Sequence, residues 1–366
     1  SLRAAKDGTT GNTAWTVKAL DSELTGSADL RWRDLATGAW TDLEATAKLQ
    51  LPRLSPLFDA LDERLGIAPP DAPSLPESSL TVDATVDSAV DGLRSAKASL
   101  LLSAESGAPS VAADAAWTPD GVLVGALGTD GLRATYTLDL SARRYEATAT
   151  LEAFRPDRLT PWAAAAGVEL PSGMNASGTW QGGGDFGPRP HRGSFDISSF
   201  EWVRKDTPPV ILRTRGSYAW PEEVTLDSLT AISEGQTIQA AARYAGEKLE
   251  VSDLEWKEGE ASLVKGRAEI PVPQQPKSVR DFLRQQQPIQ VFLESEWIDQ
   301  SRLAAWMPEE KSPLASGSAR VRLVVTGTPA EPKVNLEANL RGIALPDQPD
   351  VPVTDATLTL DGDGGT

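Results

Sequence analysis

The chain has 366 residues, 40% hydrophobic and 6% aromatic, with 30 Gly, 27 Pro, a net charge of -17 and no cysteine. That composition is globular, and the length allows two or three domains. The acidic balance repels nucleic acid and anionic membrane surfaces and excludes a nucleic-acid partner, and the missing thiols exclude disulfides, thiol catalysis and Cys-ligated metals.

Period-two alternation runs through most of the sequence. Near the start, apolar residues fall at Trp15, Val17 and Ala19, then at Leu24, Ala28, Leu30 and Trp32, then at Leu43, Ala45, Ala47, Leu49 and Leu51. The beat returns at Leu80, Val82, Ala84 and Val86, at Ala96, Ala98, Leu100 and Leu102, and at Leu132, Ala134, Tyr136, Leu138 and Leu140. It persists at Ala319, Val321, Leu323 and Val325 and at Val334, Leu336, Ala338 and Leu340. Side chains alternate across a strand, so each segment predicts a β-strand with one apolar and one polar face. Turn chemistry separates the strands. Trp117-Thr-Pro-Asp-Gly121 combines a φ preset by Pro119 with a Gly121 that accepts positive φ. Thr129-Asp-Gly131 and Ala245-Gly-Glu247 do the same work, so antiparallel meanders are expected.

Three segments break the beat. Leu54, Leu57, Phe58, Leu61 and Leu65 have helical spacing, closed by Gly66. Asp157-Arg158-Leu159-Thr-Pro-Trp162 and Gln300-Ser-Arg302-Leu303-Ala-Ala-Trp306-Met307 resemble one another. Each reads Arg-Leu, two residues, Trp, a loop, then Ser172-Gly173 or Ser316-Gly317 and a new strand. These helices read either as plugs that hide strand edges or as movable lids. A fourth helical candidate covers 278–286. Short Pro-rich joints at 69–76, 271–276 and 346–352 read as corners of one elongated body spanning 1–366, with loose repeat units 1–76, 77–171, 172–276 and 277–366.

The catalytic motifs fail. His191, the single histidine, sits in Pro188-Arg-Pro-His-Arg-Gly193 without a second His or Cys, and reads as a solvated loop residue. Gly182-Gly-Gly184 lacks the Lys and Ser/Thr of a phosphate loop and reads as a flexible turn. Asp361-Gly-Asp363-Gly-Gly365 lacks the glutamate of a calcium loop and reads as a turn. Glu222-Glu223 and Glu309-Glu310 are not placed across a cleft. No enzyme activity, metal or cofactor is expected.

A segment with Leu303-Ala-Ala-Trp-Met-Pro, Ser316-Gly317, the strand 319–325, Thr326-Gly-Thr-Pro329 and Pro332-Lys-Val334 opening the next strand resembles the recurring unit of the TamB-like and AsmA-like envelope proteins. Val224–Pro273, with strands separated by Gly235, Gly246, Gly259 and Gly266, resembles the same family. The likeness covers residues 200–366 most fully and 1–200 more loosely. It implies an all-β fold: an elongated, twisted, mostly antiparallel sheet curled into an open trough with an apolar interior and a few short helices at bends. It implies a periplasmic lipid conduit in a diderm bacterium, shielding phospholipid acyl chains between the inner and outer membranes. It also implies anchorage to the inner membrane, and contact with an outer-membrane barrel or other envelope proteins, through regions outside this chain. The chain begins without Met and stops inside an ongoing pattern, so it is expected to be a piece of a longer protein.

A one-sided apolar sheet must pack on a second sheet, close on itself or curl around a ligand. Its alternating positions are rich in Ala (Ala45, Ala47, Ala84, Ala96, Ala98, Ala113, Ala115, Ala134, Ala147, Ala149, Ala240 and Ala242), which leaves room beside bulkier neighbours. The groove is expected to be lined by Leu49, Val82, Val86, Leu100, Leu102, Leu138, Leu140, Leu151, Leu226, Ile238, Leu249, Val251, Leu263, Val321, Leu323 and Leu336. The alternatives are a structural or interaction protein (a stalk, an adhesin or an outer-membrane-protein assembly scaffold) with a packed core, or a carbohydrate-processing or carbohydrate-binding β-sandwich. The latter would use Trp180, Trp202 and Trp220, of which Trp202 and Trp220 follow the strand beat and are expected to be buried.

Overall fold

The computed structural model describes residues 2–5, 8–19, 22–34, 39–53, 78–104, 108–165, 169–170, 172–187, 191–203, 208–272, 286–305, 316–344 and 354–363. The helix expected over Leu54–Gly66, nearly all of the one expected over 278–286, Trp306, Met307, and the joints at 69–76, 273–276 and 346–352 lie outside them. The protein is all-β, and every described pairing between strands is antiparallel.

Two compact units divide the chain: Ser1–Gly193 with Phe200–Trp202, and Ser194–Ser199 with Val203–Thr366. The first holds β1 (Leu2–Ala5), β2 (Gly8–Ala19), β3 (Ser22–Asp34), β4 (Ala39–Leu51), β5 (Ser78–Ala89) and β6 (Gly92–Ala104). It continues with β7 (Val111–Trp117), β8 (Val122–Thr129), β9 (Leu132–Asp139) and β10 (Arg144–Phe154), a 3-10 turn (Pro156–Leu159) running into α1 (Thr160–Ala165), and β11 (Met174–Asp185). The dividing line falls within β12 (His191–Trp202). The second unit holds β13 (Val210–Trp220), β14 (Glu223–Ser233), β15 (Gln236–Ala245), β16 (Lys248–Glu258), β17 (Ala261–Pro271) and β18 (Gln290–Ser295). It ends with β19 (Ile298–Asp299), α2 (Gln300–Ala305), β20 (Ser316–Gly327), β21 (Pro332–Ala344) and β22 (Thr354–Asp363).

Within the first unit each strand from β1 to β11 pairs with its neighbour in sequence, so the described ladder is an open meander. The second unit runs the same way from β13 to β18; β18 and β19 then both pair with β20, followed by β21 and β22. The turns explain the meander. Gly121 has φ +80° and Gly131 φ +74° at the positions read from sequence. Glu234 and Gly235 (φ +47° and +78°) and Gly246 and Glu247 (+58° and +64°) form two-residue links with both central residues left-handed. That geometry matches the twist of the flanking strands.

Several expectations need correction. Gly266, read as separating strands, lies inside β17 opposite Leu254 and Leu293. Gly182–Gly184 is not a turn but part of β11, where side chains would collide: a Cβ on Gly183 would lie 2.7 Å from the Tyr145 carbonyl, and one on Gly184 the same distance from the His191 ring. Asp361 to Asp363 belongs to β22, paired with Lys333 to Asn335. Trp220 is 55% exposed rather than buried, because it closes β13 at the turn, where the ladder ends.

Bulges mark where strict alternation fails. β10 carries an extra residue between Leu151 and Phe154, β14 one between Leu226 and Leu229, and β16 one between Val251 and Leu254. Ala153 and Asp253, inside two of these bulges, have φ near +50°. The extra residue restores the face: apolar side chains three apart in sequence return to the same side.

Candidate binding face

Directly opposed residues of an antiparallel pair share a face, so the register can be followed strand by strand. One row in the first unit reads Val17, Leu24, Leu49, Val82, Leu100, Ala113, Leu127, Ala134, Ala149 and Trp180, crossing ten strands, β2 to β11. The next reads Trp15, Gly26, Ala47, Ala84, Ala98, Ala115, Gly125, Tyr136, Ala147 and Gly182. A third contains Ala28, Ala45, Val86, Ala96, Trp117, Leu123, Leu138 and Tyr145. Leu102 opposes Leu80 and Val111, and Leu151 opposes Leu132, on the same face. Leu140 departs from the expectation: it lies just past β9, half exposed in the turn, because the strand ends at Asp139.

The second unit repeats the pattern. Leu226, Ala242, Val251, Ala268, Val291, Val325 and Val334 form one row. Leu254, Gly266, Leu293, Leu323, Leu336 and Leu360 form another. Val321 opposes Ala338, Leu249 opposes Tyr244 and Ile270, and Ile238 opposes Ala231 and Trp256. Leu263 is the exception in exposure. It is 1% exposed, in a bulge opposite Trp256 and Lys257, so it is packed core and not an open lining residue.

The middle row of the first unit is nearly all Ala and Gly, and two aromatic rings lie on its glycines. A Cβ on Gly26 would collide with the Trp15 indole, and one on Gly125 with the Tyr136 ring. Tyr136 also donates its hydroxyl to the Asp114 carbonyl at 3.4 Å. Each glycine is therefore required by close approach, and each ring covers the backbone it exposes. The alanine row was legible in the sequence. The two glycine–aromatic pairs were not, because their partners lie on different strands.

Little among the described residues covers this face. Among the described residues the buried apolar side chains are Leu51, Ala89, Ala176, Leu263, Ile289, Ile298 and Ala319. Leu100 is 37% exposed, Leu127 40% and Leu358 59%. A packed sandwich would bury central strand positions such as Leu100 and Leu127 against a second layer; Leu358 lies on β22, the last described strand.

The opposite face is mostly polar and ionic, with Leu101, Val124, Phe292 and Val324 among its apolar side chains. Lys48 pairs with Asp83, Arg94 with Asp42 at 2.7 Å, Arg215 with Asp196 at 2.6 Å and Arg243 with Glu223 at 2.8 Å. Hydrogen bonds from Thr41 and Arg94 hold the Asp42 carboxyl below its ordinary range. Lys257 does the same for Glu255, and Glu269 and Glu250 raise Lys248. Phe292 lies between two guanidiniums here, 5.9 Å from Arg267 and 5.5 Å from Arg322. These exposed pairs keep the face solvated and in register more than they stabilise it.

His191 is not a free loop residue. It opens β12 half-buried, with Nδ1 2.9 Å from the Tyr145 hydroxyl and its ring beside Tyr145, which stacks on Phe186. Among the described residues no cluster of His, Asp and Glu could hold a metal ion, and no helix is long and apolar enough to cross a membrane. Comparison of the chain with protein-family models, curated proteins and solved structures finds no match.

Proposed function

We propose that the apolar face shelters phospholipid acyl chains, in a segment of a lipid conduit working in the periplasm of a diderm bacterium. The observation that carries this reading is the unbroken register of apolar rows, ten strands wide in the first unit, on a face whose residues are mostly half-buried and at Leu100 and Leu127 exposed. Uncovered apolar surface of that extent is costly in water and marks a binding surface. An acyl chain recovers about 0.8 kcal/mol per buried CH₂, so roughly 16 carbons gain on the order of 10 kcal/mol before ordering costs. Because this term is non-directional, a chain can slide along alanine-floored rows without a headgroup pocket. The reading uses no catalytic group and no cofactor. The periplasmic setting rests on the resemblance of Val224–Pro273 and Asp299–Leu345 to TamB-like and AsmA-like envelope proteins.

The test pairs neighbours that face opposite ways. Photo-crosslinkers at Leu100, Leu138, Val251 and Leu323 should label co-purified phospholipid, whereas those at Ser99, Thr137, Glu250 and Arg322 should not. Equal labelling of both sets, or none at the apolar set with no lipid in an organic extract, overturns the reading and leaves a scaffold, stalk or adhesin.

A further inference from the structure

The described parts of the two Arg-Leu-x-x-Trp segments are both short helical turns, a 3-10 turn at Arg158 and an α-helix at Arg302, and the two arginines make similar ion pairs. The first follows β10. Arg158 in its 3-10 turn pairs with Asp130, in the turn between β8 and β9. The second follows β18 and β19. Arg302 in α2 pairs with Glu258 at 2.8 Å, at the end of β16 where the chain turns into β17. In each case the arginine reaches back to the hairpin formed by the two preceding strands of the meander. The re-entry is repeated too: Gly173 and Gly317 both take positive φ (+73° and +122°) just after Ser172 and Ser316, as β11 and β20 begin.

Both segments sit at strand ends of their own unit. Trp162 of α1 donates its indole N–H to the Pro109 carbonyl at 3.0 Å, beside the start of β7. Between Arg158 and Trp162, that segment therefore spans the rim from β10 to β7. In the second unit the buried residues Leu263, Ser295, Ile298 and Ala319 gather at the rim where α2 sits. In the first, buried Ala176 opposes Phe154, directly before the 3-10 turn. Elsewhere among the described residues, buried Leu51 excepted, the side chains of the apolar rows are half-buried or exposed.

We propose that Arg158 and Arg302 are equivalent positioning residues, each drawing a short helical segment across one rim of its unit's apolar face and keeping that rim covered. The clasps are light. Arg302 and Glu258 keep a third or more of their side-chain surface in water, and Arg158 and Asp130 about half, so each pair contributes only a few-fold to the closed state. Asp299 adds a second hold in the second unit by accepting from the Ser301 hydroxyl and the Arg302 backbone N–H. The consequence for lipid rests on the function proposed above: a covered rim leaves the opposite rim and the run across the strands for an occupant. The clasp itself does not depend on that reading.

The chain has no cysteine, so single thiols report cleanly. Ala319→Cys and Ala176→Cys place a thiol beneath each clasp, and Ala98→Cys places one on the open face. Arg302→Gln should raise thiol labelling at position 319 about three- to fivefold and leave positions 176 and 98 unchanged. Arg158→Gln should act only at position 176. Arg302→Lys and the charge-reversed pair Arg302→Glu with Glu258→Arg should restore slow labelling, including where Arg302→Gln alone folds poorly. Unchanged labelling at 319 after Arg302→Gln overturns the proposal. So does an equal rise after Arg243→Gln, which removes an ion pair of the same unit away from the rim. A protein that shows these responses but yields no lipid in extraction keeps the clasp and loses the conduit.

Discussion

Tyr136 of β9 lies directly over Gly125 of β8, its hydroxyl reaching across to the Asp114 carbonyl of β7. One ring thus ties three strands, and it works only because its neighbour has no side chain. Gly125→Ala should destabilise the first unit by about 1–3 kcal/mol, since the new methyl would strike the Asp114 carbonyl as well as the ring, and that backbone cannot move aside. Gly128→Ala is the control: its nearest neighbour would be 3.8 Å away, and losing a strand glycine there should be neutral or slightly stabilising. Urea unfolding of the two variants measures the difference.

The link between β14 and β15 puts a glutamate where the backbone is left-handed. Glu234 has φ +47°, a conformation that costs a β-carbon-bearing residue about 1 kcal/mol and that Asn tolerates better. Glu234→Asn should stabilise the protein by about 0.5–1 kcal/mol in thermal or urea unfolding, and Gly235→Ala (φ +78°) should cost a similar amount.

Acid should loosen the polar face first. Asp42, Asp139, Glu255 and Asp299 all have carboxyls held below the ordinary range, the largest causes being hydrogen bonds from Thr41, the Ala142 backbone, Lys257 and Ser301 respectively. A depressed folded-state value means the contribution is complete above the unfolded-state value and disappears as pH falls through the folded one. Stability should therefore be flat near neutrality and decline below about pH 4. In a pH series of urea midpoints, Asp299→Asn should flatten part of that decline. A fall beginning above pH 6 would contradict it.

Adjacent residues should respond oppositely to charge. Leu138→Glu places a carboxylate in the apolar row beside Tyr145 and Leu123, whereas Thr137→Glu places one on the solvated face. Uptake of a hydrophobic dye by the folded protein should drop several-fold with the first and stay unchanged with the second.

The strands and many of their links were legible because their causes are local. Alternation decides the two faces within a strand, and Pro119, Gly121, Gly131 and Gly246 decide where the chain reverses. The same logic mistook Gly182–Gly184 for a turn, since nothing in the segment reveals the ring at position 191 or the Tyr145 backbone that exclude side chains there. It also placed Leu140 in the wall and left Leu263 exposed, because strand ends and bulges depend on the partner strand.

What the sequence determined by itself is that this chain makes one-sided strands joined by tight turns, a consequence of covalent geometry and residue-by-residue φ preference. Only the tertiary structure decided which residues stand opposite one another: that Leu49, Val82 and Leu100 continue a single row, that extra residues near Ala153 and Asp253 bring the apolar side chains back to the same face, and that Arg158 and Arg302 reach back to the preceding hairpins. The physical reason is that register is a property of pairs of strands. It is fixed by hydrogen-bond ladders and close contacts between residues distant in sequence, which no single segment encodes.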